Sequence, residues 1–439
     1  MGQLLSEDPT RPFQQTVTTA CHHCLDPACL NGCPVLAYEK DPSTGIVHHL
    51  DDQCIGCQYC VLKCPYDVPK YSSRLGIVRK CDMCSQRLTA GQAPACVQAC
   101  PNEAITIELV DRETVRQRWL NQASAFLPDA PDPQITLPTT VYRSERLPDQ
   151  KAVSNNHSEA TLQPPHWPLV IMLVMTQAGA GTWWAGLISL EPLATNLSQV
   201  SIGLTALGLL ASFPHLGRPL KAWRSFLGWR RSWMSREIMA FSLFVGMALA
   251  FVASPVFVTS LSTSSAGWRV GIGLVGGFAV LASGMLYHDT GRPTWLGWRS
   301  VGRFFLTSML LGSAVALTVG EYSGLPRQPW LGTVLTAAAV KLALEVVWLF
   351  PLPPKEPGSR QRDPVLVSAR LQRTCLTAIT GLRLAGALLG IGCLLVVPMV
   401  VARSSLLIVS LGCGLLFLSE IAERYAFFRA MVARRMPGV

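Results

Sequence analysis

Cys54-Ile55-Gly56-Cys57-Gln58-Tyr59-Cys60-Val61-Leu62-Lys63-Cys64-Pro65 is the stretch on which the first part of this chain turns. Its spacing, Cys-x2-Cys-x2-Cys-x3-Cys-Pro, lets three thiolates reach one iron–sulfur cube while the fourth reaches a neighbouring cube. A second run precedes it, Cys21-x2-Cys24-x4-Cys29-x3-Cys33-Pro34, and a third follows, Cys81-x2-Cys84-x11-Cys96-x3-Cys100-Pro101. By the two-cluster exchange rule, Cys21, Cys24, Cys29 and Cys64 share one [4Fe–4S] cube, and Cys33, Cys54, Cys57 and Cys60 hold a second. Zinc on Cys-x2-Cys pairs is the competing reading. Two interleaved four-cysteine runs, each closed by Cys-Pro, weigh against it.

Twelve of the 15 cysteines lie in these three groups. Residues 1–20 show no basic start, apolar core or twin-arginine pair, so a disulfide-rich secreted domain is not expected. Cys375, Cys393 and Cys413 stand alone, and the two that lie inside apolar stretches read as small packed hydrophobes. The charge is split: residues 1–166 carry 14 Lys and Arg against 18 Asp and Glu, and residues 167–439 carry 23 against 9. The basic excess sits between apolar stretches, where membrane topology explains it, and no nucleic-acid partner is expected.

The fold class expected is an α+β ferredoxin-like multi-cluster domain over residues 1–110, a helix and extended linker over 111–166, and an all-α transmembrane bundle over 167–439. A strand is expected at 101–107 and an amphipathic helix at 111–125. The Pro-, Ser- and Asp-rich segment 126–166 reads as a tether lying on the domain or on a partner. Eight apolar stretches near 20 residues long are expected to span the bilayer, at about 167–190, 197–216, 237–258, 268–288, 303–323, 330–351, 383–402 and 404–422. Ala402-Arg403-Ser404 reads as a tight hairpin between the last two.

Counting arginines at the span ends, one set of loops and the C-terminal tail carry 19 Lys and Arg, and the other set carries 3. Both termini and the cysteine-rich domain are therefore expected on the cytoplasmic side of the inner membrane. Lys341 and Glu345, one turn apart, read as an i,i+4 pair or as part of a proton path. Arg383 reads as snorkelling to the interface. His215-Leu216-Gly217-Arg218-Pro219 and His288-Asp289-Thr290-Gly291-Arg292-Pro293 hint at an internal repeat, although Gly-Arg-Pro is also simple helix-stop chemistry.

Four stretches carry a resemblance: Cys-His-His-Cys-Leu-Asp-Pro-Ala-Cys (21–29), Cys-Ile-Gly-Cys-Gln-Tyr-Cys (54–60), Cys-Pro-Tyr-Asp-Val-Pro-Lys-Tyr (64–71) and Lys-Cys-Asp-Met-Cys (80–84). Over about residues 18–145 the chain resembles the iron–sulfur subunit of the dimethyl sulfoxide reductase family. That family's subunit has a fourth, N-terminal cysteine run which shares ligands with the third group, and nothing before Cys21 matches it. Cys81, Cys84, Cys96 and Cys100 are then expected to close a third cube among themselves, with a lost cluster or a zinc ion as alternatives.

Residues 167–439 resemble the same family's eight-helix anchor subunit, through His215-Leu216-Gly217-Arg218-Pro219, Arg231-Ser232-Trp233-Met234-Ser235-Arg236-Glu237 and Glu423-Arg424-Tyr425-Ala426-Phe427-Phe428. The resemblance implies a quinone site, electron exchange with the nearest cluster, and a separate molybdopterin-containing catalytic subunit. Quinone chemistry needs proton donors and acceptors in an apolar slot; His215 and Glu237 are the first candidates, with Tyr287, His288 and Asp289 as a second group. No P-loop, dinucleotide motif or nucleophile constellation is present, so no substrate-turnover site is expected in this chain. The competing classes are a redox-coupled ion-translocating membrane protein and a polysulfide-reductase-type quinone module.

Overall fold

Each of the first two cysteine runs contains, before its last cysteine, about one turn of helix that a proline stops. Ala28–Gly32 (α1) ends at Cys33 and Tyr59–Lys63 (α2) at Cys64. Both cysteines are extended, with φ/ψ of −69°/117° and −73°/115°, because a following proline disfavours helical geometry in the residue before it.

The computed structural model describes residues 2–6, 10, 12–121, 126–127, 130–144, 152–154, 161–253, 265–325, 329–352, 363–396, 402–433 and 436–437. The chain forms two compact units. The first comprises Met1–Glu159, Leu216–Met234 and Ala433–Val439, the second Ala160–His215 and Ser235–Val432.

In the first unit, β1 (Gly2–Ser6) lies between β2 (Gln14–Val17) and β7 (Ala152–Ser154), antiparallel to both, with Leu4 opposite Gln15 and Ser154. Two hairpins follow the two short helices. β3 (Tyr38–Lys40) pairs with β4 (Val47–His49), and β5 (Lys70–Ser72) with β6 (Ile77–Arg79). The Asp41 carboxylate shapes the first hairpin turn by accepting from the Ser43 amide at 2.8 Å. This helix-plus-hairpin unit, occurring twice around the cysteines, is the ferredoxin-like α+β core. Val35, Ala37, Val47, Ile55, Ile77 and Val78 fill one half of it. Leu4, Val17, Tyr66, Val115, Trp119 and Phe126 fill the other.

The third run carries two more short helices, α3 (Ser85–Thr89) and α4 (Ala95–Gln98). The strand expected at 101–107 is absent: residues 103–110 are irregular, and Leu109 is 98% exposed. Alternating apolar residues there have no neighbouring strand to pair with among the described residues. α5 (Arg112–Asn121) forms inside the expected helix and buries Val115 and Trp119, four residues apart; residues 122–125 lie outside the described residues. The described part of the following segment runs along the domain, with amide bonds from Leu25 to Leu137 at 2.8 Å and from Asp26 to Thr136 at 3.0 Å.

The second unit is helical: α6 (Trp167–Leu187), α7 (Leu193–Ser212), α8 (Trp233–Ala253), α9 (Ser265–His288), α10 (Val301–Tyr322), α11 (Trp330–Leu349), α12 (Pro364–Thr374), α13 (Thr377–Val396) and α14 (Ala402–Arg429). The first two residues of α8 group with the first unit. All but α12 are long and apolar enough to span a membrane, with mean hydropathy of 1.2 to 2.0. Polarity is inverted relative to a soluble protein. Leu274, Leu389 and Leu407 face outward while Glu237, Lys341, Glu345, Arg383, Glu420 and Arg424 are buried, as the low-dielectric bilayer requires. Small residues let the helices approach: a Cβ on Gly390 would lie 2.9 Å from the Gly412 carbonyl oxygen. α12 was not foreseen. It starts on Pro364 behind Asp363, whose carboxylate caps the Val365 amide at 2.7 Å.

Two span boundaries differ from expectation, with consequences for charge. The seventh span begins at Thr377, and the eighth continues past 422 to Arg429. Arg383 therefore sits inside its helix, 4% exposed and paired with Glu345, and does not snorkel. Lys341 does not pair with Glu345; it pairs with Glu420. Each of the two i,i+4 residues thus takes its opposite charge from another helix, Lys341 from α14 and Glu345 from α13. Ala402-Arg403-Ser404, expected as a tight hairpin, instead begin the helix α14; residues 397–401 lie outside the described residues.

Candidate functional site

The first unit holds a pocket lined by Cys21, Cys24, Cys29 and Cys64, together with His22, His23, Lys80 and Thr136. Cys21, Cys24 and Cys29 come from the loop and helix of the first run; Cys64 comes from the end of α2. All are free thiols. Burial pushes the Cys24 thiol up to about 12 and Cys64 to about 11. Thiols raised in this way become thiolates only around a strongly cationic centre. Among the described residues, no three His, Cys, Asp or Glu side chains converge on a point that holds a single metal ion. Thiols ringed around a void suit a multi-atom cluster better than one zinc ion.

Cys33, Cys54, Cys57 and Cys60 form a second set, close enough that its members help raise the Cys33, Cys57 and Cys60 thiols. Burial is the larger cause and takes Cys33 to about 11 and Cys57 to about 12. Backbone amides already point at the sulfurs. Ala37 donates to Cys33 Sγ at 3.2 Å and Gly56 to Cys54 Sγ at 3.4 Å, an arrangement that favours bound thiolate.

The third set is different. Cys81 and Cys96 are exposed, and Cys84 and Cys100 are half-buried. Cys81 Sγ accepts from Met83 and Cys100 Sγ from Ala104, each at 3.3 Å. Amides of Ala104 and Asn102 lower the Cys100 thiol.

His22 and His23 flank the first pocket. Burial holds their imidazoles down at about 4 and 3, so both are neutral at pH 7. His23 Nδ1 accepts the Val47 amide at 3.0 Å, and the His22 ring meets Tyr66 edge-on at 4.4 Å.

In the second unit, His215 lies edge-on to His166 at 5.3 Å, His166 contacts Phe428 at 5.7 Å, and Phe428 contacts Tyr287 at 5.7 Å. Tyr287 is buried among Trp295, Phe304 and Phe427. Glu237 is buried and within electrostatic reach of Tyr287. His288 is committed elsewhere: its Nδ1 accepts the Gly297 amide at 2.9 Å. His166 was missed in the sequence reading; the signal was a histidine inside Pro-Pro-His-Trp-Pro at a span entrance. Burial lowers its imidazole below the ordinary range.

A second polar cluster gathers Lys341, Glu345 and Arg383, which the sequence singled out, with Glu420, which it did not. These residues border one small pocket together with Ser419 and Glu423. Lys341 Nζ donates to Thr307 Oγ1 at 2.6 Å, Arg424 reaches Gln177 at 3.0 Å, and Arg303 pairs with Glu423 at 3.0 Å.

Two sets of buried thiols on ferredoxin-type loops, joined in one chain to eight apolar helices, define a multi-pass membrane protein that carries iron–sulfur clusters for electron transfer. Residues 13–110 match the 4Fe-4S dicluster domain, and residues 162–429 match the DMSO reductase anchor subunit. The second match covers more than half of the chain, which belongs to the DMSO reductase anchor subunit family, with its iron–sulfur subunit fused ahead of the anchor. The chain is 50% identical over 110 residues to the hydrogenase-2 operon protein HybA of Shigella flexneri, covering 24% of this chain and 34% of that one. It is 38% identical over 134 residues to a subunit of the anaerobic dimethyl sulfoxide reductase of Haemophilus influenzae, covering 30% and 63%. It is 39% identical over 113 residues to the thiosulfate reductase electron transfer subunit PhsB of Salmonella typhi, covering 26% and 58%. The match thus spans between about a third and two thirds of these relatives' own lengths.

Proposed function

We propose that this chain passes electrons between the membrane quinone pool and a separate cytoplasmic molybdopterin-containing catalytic subunit. The observation that carries this reading is a pocket ringed by four thiols from two cysteine runs, in the same polypeptide as an anchor in which half-buried His215 and His166 reach buried Tyr287 through Phe428, with buried Glu237 within electrostatic reach of Tyr287. In this reading Cys21, Cys24, Cys29 and Cys64 hold one [4Fe–4S] cluster and Cys33, Cys54, Cys57 and Cys60 a second. Cys81, Cys84, Cys96 and Cys100 take the third. When bound, the clusters supply one-electron relay between sites.

The chain's own residues handle the protons. Oxidation of a quinol gives up two electrons to the relay and releases two protons. A neutral imidazole at His215, beside His166, accepts one, and the Glu237 carboxyl is placed for the other. Tyr287 and its aromatic walls shape the slot. Run in reverse, the same groups deliver protons to a quinone.

Ion translocation is the other reading, motivated by the buried Lys341 and Glu420 cluster. An apolar layer of Leu311, Ala314, Leu317, Val334, Leu394 and Val409 lies beyond that cluster along the helices, and it weighs against a path across the bundle.

The test is His215→Ala in the purified holoprotein. Quinol-dependent cluster reduction should fall by about 100-fold or more, the usual effect of losing a general base, with cluster content and dithionite reduction unchanged. Reduction by quinol at the unaltered rate would sink the assignment of His215.

A further inference from the structure

The segment Leu216–Met234 connects the second and third spans in sequence, yet it belongs to the first compact unit. Its hydrogen bonds run to the flanks of two cysteines. The Arg218 amide donates to the Ile55 carbonyl at 3.0 Å, Arg218 Nη1 to Asp51 at 2.8 Å and Lys221 Nζ to Asp52 at 2.7 Å, all beside Cys54. The Gly228 amide donates to the Pro34 carbonyl at 2.8 Å and Ser232 Oγ to the Gly32 carbonyl at 2.7 Å, on either side of Cys33. Every acceptor is a main-chain carbonyl, so the segment grips the path of the cysteine loops and not their side chains. Leu216 packs onto the apolar shell that contains Cys33, Cys54 and Cys60.

Two close approaches fix the spacing. A Cβ on Gly217 would overlap the Gly76 carbonyl. One on Gly228 would lie 2.6 Å from the Pro34 carbonyl oxygen. Neither obstacle is the end of a flexible side chain. Gly76, at φ +65°, and Gly56, at φ +71°, hold turns that few other residues adopt, so the backbone facing Gly217 has little room to yield.

We propose that Leu216–Met234 is a built-in part of the Cys33, Cys54, Cys57 and Cys60 site, with Gly217 and Gly228 as positioning residues that set the separation of its two cysteine loops. This rests on the reading that those four cysteines hold one cluster. Pushing the segment outward admits water beside Ile55 and Gly56 and loosens the amides that face the sulfurs. Solvent exposure and amide–sulfur bonds are two of the factors that set a cluster's potential.

The experiment uses the full-length holoprotein and compares Gly217→Ala, Gly228→Ala, the gentler Ser232→Ala, and Cys57→Ser. Gly203→Ala serves as control, because a Cβ there meets nothing within 4 Å. Iron content, redox titration followed by electron paramagnetic resonance, and amide hydrogen exchange are read together. Cys57→Ser removes one signal and so identifies this cluster. The glycine variants should lose about ten-fold or more of the exchange protection at residues 218 and 228 and shift the potential of that signal alone. Ser232→Ala should shift the same signal less, which covers the case in which a glycine variant fails to fold. If protection falls while every cluster keeps its potential and line shape, the segment is only a tether and the proposal is overturned. If Cys57→Ser leaves every signal intact, the ligand assignment fails instead, a separable outcome.

Discussion

Replacing Lys341 with methionine tests whether the charges buried in the anchor hold it together. Lys341 is ion-paired with Glu420, and Thr307 bridges them, accepting from Lys341 at 2.6 Å and donating to Glu420 at 2.7 Å. Four cations (Arg303, Lys341, Arg383 and Arg424) share the region with three carboxylates (Glu345, Glu420 and Glu423), all buried or nearly so. Lys341→Met fills the space but leaves Glu420 with only a neutral hydroxyl as its close partner. Breaking one side of a buried pair costs about 3–5 kcal/mol, while removing both partners costs far less. Neutral hydrogen bonds in membranes average only about 0.6 kcal/mol, so the two magnitudes separate the possibilities. We expect Lys341→Met and Glu420→Gln each to destabilise by about 3–5 kcal/mol, and the double variant to be no worse than either alone. Reversible unfolding by sodium dodecyl sulfate in mixed micelles, run as a double-mutant cycle, measures the coupling. A coupling energy under about 1 kcal/mol would show that the pair acts as an ordinary polar contact and that the reasoning from buried charge is wrong.

The purified protein should be brown and carry about twelve iron atoms and twelve sulfides per chain, from twelve thiolates at four per cube; about eight of each would leave the third cysteine group empty, and stoichiometric zinc would make it a zinc site. Reporter fusions at Val439 should be active in the cytoplasm and those in the 188–192 loop outside it, and the opposite pattern would overturn the topology. His166→Ala should slow quinol-dependent cluster reduction by about ten-fold or more, while His288→Ala, whose ring is tied to the Gly297 amide, should stay within about two-fold; equal effects would dissolve the distinction between them.

The cysteine runs were legible because cluster ligation is a local geometric demand: Cys54, Cys57 and Cys60 must reach one object from one short loop. The spans were legible because a bilayer demands about 20 apolar residues in a row. Pairings across sequence were not. Lys341 and Glu345 looked like an i,i+4 pair, yet Glu420 and Arg383 take them, because packing of α11 against α13 and α14 decides the partners. The eighth span was read as ending at 422 because Glu423, Arg424 and Arg429 resemble a polar terminus, whereas Glu423 and Arg424 lie inside the bundle. The strand at 101–107 was expected as the closing strand of a ferredoxin-like unit, and a strand forms only where another is there to pair with. Moving Arg303, Arg383 and Arg424 from loop or tail to interior lowers the tally on the basic side to sixteen and leaves the charge asymmetry that orients the chain intact.

The two Gly-Arg-Pro copies show how far a repeated motif carries. Each ends a span and places proline at the first position of a 3-10 turn, Pro219–Phe226 in one case and Pro293–Trp295 in the other, which is where a residue without an N–H costs least. Beyond that turn they part. The Arg218 amide bonds to the Ile55 carbonyl beside Cys54. Arg292 lies over Trp295 at 5.6 Å, and Trp295 bonds to the Phe427 carbonyl at 3.2 Å, within the anchor. The glycines differ as well: Gly291 has φ +69°, while Gly217 is required by close approach. Gly291→Ala should therefore cost the anchor about 1–2 kcal/mol of left-handed strain and leave every cluster signal untouched. Gly217→Ala should do the reverse, disturbing one cluster with little effect on anchor unfolding. If both variants altered the same cluster signal, the copies would be two halves of one duplicated site, and the reading of Gly-Arg-Pro as local stop chemistry would have to be given up.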